Sequence, residues 1–145
     1  SRGEFHMKVD GGCHCGHLTY EAEIDESIVT VCHCTDCQNL AGTPFRVTAH
    51  SFEGSFTLLT GKPKEYVKTG GSGNPRIQAF CAECGSQIYS TSVGEGPKVY
   101  NLRVGTIRQR DSLVPTRQIW ARSAHHWIDN LSSVPMYQEG PPQPR

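Results

Sequence analysis

The chain has 145 residues, 36% of them hydrophobic, a length that fits one compact domain able to bury its core without needing a metal merely to fold. Its 14 basic and 14 acidic residues cancel, which argues against a protein built to coat nucleic acid or an anionic membrane. No apolar run is long enough to span a bilayer and no charged-then-apolar signal opens the chain, so the expected compartment is the cytoplasm, where thiols stay reduced.

The first six residues, Ser1-Arg2-Gly3-Glu4-Phe5-His6, read as a cloning scar ahead of Met7 and are set aside from the fold. Leu18, Tyr20, Ala22 and Ile24 then alternate with polar residues at a period of two, as a half-buried strand requires. Short extended runs follow at 28–31, 45–49, 55–59, 65–68, 76–80, 87–90, 99–104 and 116–120. Turn residues such as Thr60-Gly61-Lys62-Pro63 and Gly70-Gly71-Ser72-Gly73-Asn74-Pro75 separate them, the second being a hairpin-sized loop rather than a boundary. Only 35–40 and part of 123–131 look helical. Many short strands with glycine-rich turns predict an all-β sandwich or barrel-like fold, a single domain over 7–138 with a loose tail at 139–145.

Seven cysteines fall in three tight clusters, Cys13-His14-Cys15, Cys32-His33-Cys34-Thr35-Asp36-Cys37 and Cys81-Ala82-Glu83-Cys84-Gly85. Disulfides are disfavoured, because the odd count leaves one thiol over and Cys-x-Cys pairs are too cramped to bridge each other easily. Neither Cys-x-x-Cys pair has the strand, helix, strand context of a thioredoxin-like motif. Zinc takes four ligands, so seven thiolates divide into one closed four-sulfur site and one three-sulfur site with an open position. Cys81-x-x-Cys84-Gly85 is a zinc-knuckle pattern in which Gly85 can take the positive φ of a tight turn. Cys32, Cys34 and Cys37 chelate locally. Spacing leaves open whether Cys13 and Cys15 join Cys81 and Cys84 or share the Cys32 group; parsimony favours the first.

Gly11-Gly12-Cys13-His14-Cys15-Gly16, Cys32-His33-Cys34-Thr35-Asp36-Cys37-Gln38, Gly42-Thr43-Pro44-Phe45 and Phe80-Cys81-Ala82-Glu83-Cys84-Gly85-Ser86 stand in order, followed by Asn101-Leu102-Arg103-Val104-Gly105-Thr106, Ile119-Trp120, Trp127 and Pro135-Met136-Tyr137. This set resembles the glutathione-dependent formaldehyde-activating enzyme family, which also includes centromere protein V, over nearly all of Met7 to Gly140. The resemblance implies an Mss4-like all-β fold with two Zn2+ per chain. Cys13, Cys15, Cys81 and Cys84 would hold a structural zinc, and Cys32, Cys34 and Cys37 a catalytic one. It further implies a carbon-sulfur lyase that adds a glutathione-like thiol to an aldehyde such as formaldehyde, giving S-hydroxymethylglutathione, with zinc as thiol activator and no redox role. Thiol and aldehyde are then the partners, with no membrane or nucleic acid expected. The rival reading is a non-catalytic zinc module that binds a protein, or nucleic acid through its arginine-rich portion.

His14 and His33 sit between ligand cysteines and should point away from the metal their neighbours hold. His125 and His126 are better candidates for a fourth or transient ligand, against the plainer reading of an exposed pair. Arg103, Arg108, Arg110, Arg117 and Arg122 make the last third locally basic, as a ligand with carboxylates would need, although a solvated strand face accounts for most of them equally well. Arg46 is the single arginine to mutate first. Trp120, Trp127, Tyr89 and Tyr100 are expected to pack in the core or at an edge rather than form a stacking platform.

Overall fold

The computed structural model describes residues 4–69 and 73–142. Residues 1–3 of the proposed scar, 70–72 of the glycine-rich loop and the end of the tail lie outside the described residues. Among those described, nine strands form one sheet: β1 (His6–Gly12), β2 (Thr19–Cys32), β3 (Arg46–Ser51), β4 (Thr57–Thr60), β5 (Lys64–Thr69), β6 (Pro75–Phe80), β7 (Gln87–Ser92), β8 (Asn101–Arg103) and β9 (Arg117–Ile119). The order is β1-β2-β3-β8-β7-β6-β5, with β4 and β9 also pairing β2. Only the β2–β9 pair is parallel. The fold is all-β, as the punctuation predicted. One short helix, α1 (Thr35–Ala41), interrupts it, and the carboxyl-terminal helical stretch resolves into 3-10 turns at Ala121–Ser123 and Ile128–Ser133. No helix among the described residues is long and apolar enough to cross a membrane.

Two departures from the expected elements have backbone causes. The alternating run and the run at 28–31 are one strand, because the Asp25 carboxylate accepts the Ser27 amide at 2.9 Å and absorbs the register shift between Ile24 and Val29. β1 begins at His6, opposite Asp25, and the Phe5 carbonyl accepts the Glu26 amide at 2.9 Å. Phe5 and His6 therefore extend the first hairpin rather than standing outside the fold, since a ladder needs only backbone groups and is indifferent to the side chains that carry them.

Register assigns each face of the sheet. Val29, Ala49, Leu102, Tyr89 and Ala79 lie opposite one another across five successive strands, and all are buried. This row is the core face, continued by Leu18, Tyr20 and Ile24 and by Phe56, which stacks on Tyr100 at 4.2 Å and meets Tyr89 edge-on at 5.1 Å. Tyr89 and Tyr100 thus pack in the core region, as expected. The opposite face takes the alternate positions: Cys32 opposes Arg46, Thr48 opposes Arg103, and Gln78 joins them through Ser90 and Asn101. It is polar, yet Arg46, Thr48, Gln78, Ser90 and Arg103 are buried on it.

Gly11 is where the sheet meets the turn after β8. A Cβ there would come within 2.1 Å of the Thr106 carbonyl oxygen and 2.6 Å of the Tyr20 hydroxyl. That close approach lets Tyr20 reach the Thr106 hydroxyl at 2.9 Å and sets the two strands that lead into the first cysteine cluster.

Candidate metal centres

The Sγ atoms of Cys13, Cys15, Cys81 and Cys84 all lie within 4.8 Å of one another, which resolves the pairing of clusters that spacing left open. Two tight turns bring them there. Cys13 follows β1, its amide donating to the Leu18 carbonyl at 3.0 Å, while the Leu18 amide donates to Cys13 Sγ at 3.2 Å. Cys81 follows β6, its amide donating to the Ser86 carbonyl at 2.9 Å, and Gly85, at φ 80°, returns its own amide to the Cys81 carbonyl at 2.8 Å. Gly16, at φ 83°, does for the first turn what Gly85 does for the second. A tetrahedral ion with Zn–S near 2.3 Å spaces its sulfurs about 3.8 Å apart. Cys13 and Cys15 are 3.6 Å apart and Cys15 and Cys81 3.8 Å, so the donors fit zinc and no disulfide joins them.

This cluster is electrically asymmetric. The Ser86 hydroxyl, 3.3 Å from Cys84 Sγ, holds that thiol down at about 5, aided by the Ser86 and Cys15 amides. The His17 amide favours the thiolate of Cys15, but burial and the neighbouring thiols outweigh it and push Cys15 up to about 12. The charged form of Cys84 therefore exists above its pKa and disappears below it. In zinc-free protein the ultraviolet thiolate absorbance is expected to fall as pH drops through about 5, and Cys84→Ser should move that step upward. A first ionisation at the ordinary thiol value would contradict this.

Cys32, Cys34 and Cys37 form the second cluster, again with Sγ atoms within 4.8 Å of one another. Cys32 ends β2. Cys34 caps α1, its Sγ accepting the Cys37 amide at 3.3 Å, and Gly42 in the left-handed region closes the helix after two turns. Burial raises Cys32 and pushes Cys37 up to about 12; at Cys34 burial is overcome by the Cys37 amide and the neighbouring thiols, and the value is lowered. Among the described residues no His, Asp or Glu joins this group of three. The sulfurs are free thiols, and the donor set fits a zinc with three protein ligands.

The histidines sort as their positions require. His33 turns away from the sulfurs, buried, with Nε2 2.7 Å from Gln118 Oε1 and its ring edge-on to Phe45. His14 is exposed and uses its amide, not its ring, to reach Ser86 Oγ at 3.1 Å. His125, read as a fourth-ligand candidate, stands outside the cluster, with Nε2 2.9 Å from Gln38 Oε1 and its ring stacked on Trp127. His126 is exposed and outside it as well. Trp120 and Trp127, 49% and 37% exposed, lie outside the core, each just before a 3-10 turn too short to supply a continuous apolar stripe that would bury a ring.

Three residues around the second cluster carried little or no signal in the sequence. Gln38 donates Nε2 to the His33 carbonyl at 2.8 Å and to the Ser123 carbonyl at 3.1 Å, tying α1 to β2 and to the carboxyl-terminal segment. Its place beside Cys37 was the only clue. Lys68 pairs Asp36 at 2.9 Å across from β5. Gln78 accepts from Arg46 Nη1 at 3.0 Å and from Arg103 Nη2 at 2.8 Å. Of the arginines in the basic last third, Arg108 pairs Asp10 at 2.8 Å and Arg122 lies over Trp120 at 5.0 Å, whereas Arg103 is buried beside Arg46 and burial draws it down to about 9. Both Arg46 and Arg103 act electrostatically on Cys37. They also line a cavity of about 720 Å³, walled by residues that follow each cluster: Leu40, Ala41 and Thr43 after Cys37, and Gly85, Ser86 and Gln87 after Cys84.

Residues 8–123 match a family model described as glutathione-dependent formaldehyde-activating enzyme. No curated protein matches the chain. A crystal structure of a Rhodobacter sphaeroides protein is similar, with a TM-score of 0.56 and 19% identity over 75% of this chain and 98% of that one. At that identity the likeness speaks for the fold alone.

Proposed function

Because the chain belongs to the glutathione-dependent formaldehyde-activating enzyme family, we propose that it is a zinc-dependent carbon-sulfur lyase that adds a glutathione-like thiol reversibly to an aldehyde such as formaldehyde. The observation that carries this is the difference between the two clusters. Cys13, Cys15, Cys81 and Cys84 form a closed set, the mark of a structural site, whereas Cys32, Cys34 and Cys37 offer three donors with no fourth beside them among the described residues. When bound there, zinc would supply a point where an incoming thiol ionises at neutral pH.

The chain's own residues do the rest. In the net reaction a carbon-sulfur bond forms, the carbonyl π bond breaks, and the thiol proton ends on the former carbonyl oxygen. Full ionisation of a thiol of pKa about 8.5 gains roughly thirtyfold at neutral pH, about 2 kcal/mol, less what is lost in nucleophilicity. Thiols already add to formaldehyde unaided, so positioning must supply the larger share. Gln38 fixes Cys37 against Cys32 through the His33 carbonyl, and the cavity beside Arg46 and Arg103 has room for a tripeptide-sized thiol. The test is the rate at which glutathione and formaldehyde form their adduct, followed by NMR with zinc-loaded protein. A rate above the uncatalysed one, lost when the three-cysteine site is empty, is expected; equal rates would leave a zinc scaffold.

A further inference from the structure

Arg46 and Arg103 are 6% and 7% exposed, and the one side chain that both engage is neutral, the shared Gln78 amide oxygen. Arg103 adds a long bond from Nη1 to the Asn101 carbonyl at 3.3 Å. Each guanidinium keeps a buried Nε with no partner. Neither makes an ion pair among the described residues, and no Asp or Glu lines the cavity they border. Two buried like charges bridged by one uncharged acceptor are costly, and neither has a carboxylate partner among the described residues. The adjoining thiolates do not balance them: three around a divalent ion carry a single negative charge, so one positive charge stays unmatched. Arg76, on the same face with its guanidinium donating to the Ser90 hydroxyl at 3.4 Å, makes no ion pair among the described residues and adds to the excess.

Resting on the lyase reading, we propose that Arg46 and Arg103, bridged by Gln78, form the subsite that takes a carboxylate of the thiol substrate in the cavity beside the three-cysteine cluster. The guanidinium fork matches a carboxylate in shape and charge, and register fixes where it stands: Arg46 opposes Cys32 directly on the same face. A thiol anchored at its carboxylate is thereby held with its sulfur toward the cysteines. Substrate selection follows from this. Thiols that carry a carboxylate are preferred over neutral thiols of equal size.

The experiment is equilibrium titration of zinc-loaded protein with glutathione, with glutathione diethyl ester, and with S-methylglutathione, which keeps the carboxylates but cannot offer a thiolate. The ester is expected to bind roughly tenfold or more weakly than glutathione. Gln78→Glu, nearly isosteric, places a fixed carboxylate between the two arginines; it should retain both zinc ions, lower glutathione and S-methylglutathione affinity about tenfold or more, and leave the ester unchanged. Equal binding of glutathione and its ester, or a Gln78→Glu protein that binds both like the parent, overturns the subsite. Binding of S-methylglutathione that Gln78→Glu abolishes, in a protein that does not hasten adduct formation, would retain the subsite and remove the lyase reading. Adduct formation with no preference for the carboxylates would do the reverse.

Discussion

Cys37→Ser is expected to lower bound zinc from two ions per chain to one and to return thiol addition to its uncatalysed rate, with the sheet intact. The variant leaves Cys32 and Cys34 as a two-donor set, and a serine hydroxyl does not ionise to replace the lost thiolate. Cys37 lies on α1, a two-turn helix none of whose residues is fully buried, so its removal takes no apolar mass from the core. The four-cysteine cluster shares no residue with it. Elemental analysis should therefore read one zinc per chain, while thermal unfolding moves by no more than about 1 kcal/mol, the ordinary cost of a change outside the core. A catalytic metal has one further signature: in the parent, added glutathione should alter the environment of only one of the two ions, and in Cys37→Ser of neither. Catalysis that survives with a single zinc per chain would remove the assignment of chemistry to Cys32, Cys34 and Cys37.

How much of this was legible depended on the range of the forces involved. Chelation requires donors a few ångströms apart, and the local part of that requirement is written as Cys-x-Cys and Cys-x-x-Cys, so the three cysteine groups could be read directly. Which distant turns share an ion is a matter of sheet order, and spacing had left Cys13 and Cys15 with two choices. The strands were legible where turn residues punctuate them; β1 was not, because Lys8 to Gly12 has little apolar alternation and pairs through its backbone. The arginine face was hidden for a different reason. A period of two marks Gln78 and Arg103 as the polar side of their strands but cannot distinguish a polar side in water from one that is covered. Only the register from β2 through β3, β8 and β7 to β6 brings Cys32, Arg46, Arg103 and Gln78 to one face.

Cys81→Ala is expected to have the opposite profile, a large loss of stability. Cys81 is fully buried in the core cluster, and its sulfur helps hold the turn after β1 to the turn between β6 and β7, which lie on well-separated strands of the sheet order. Three donors remain, two of them exposed, and a chelate that had been closed becomes open to water and to competing ligands. A structural zinc binds with roughly 10–16 kcal/mol, against a total domain stability of about 5–15 kcal/mol, so even partial loss of that binding consumes most of the margin. We expect destabilisation of about 5 kcal/mol or more, read as an early unfolding transition, with hydrogen exchange fastest in β1 and in the β6–β7 hairpin. Stepwise chelation of the parent should show the same division: the first zinc to leave abolishes thiol binding without unfolding, and the second carries the cooperative loss of the sheet. If the two ions leave together, or if the sheet melts with the first, the separation of a stabilising four-cysteine site from a working three-cysteine site does not hold.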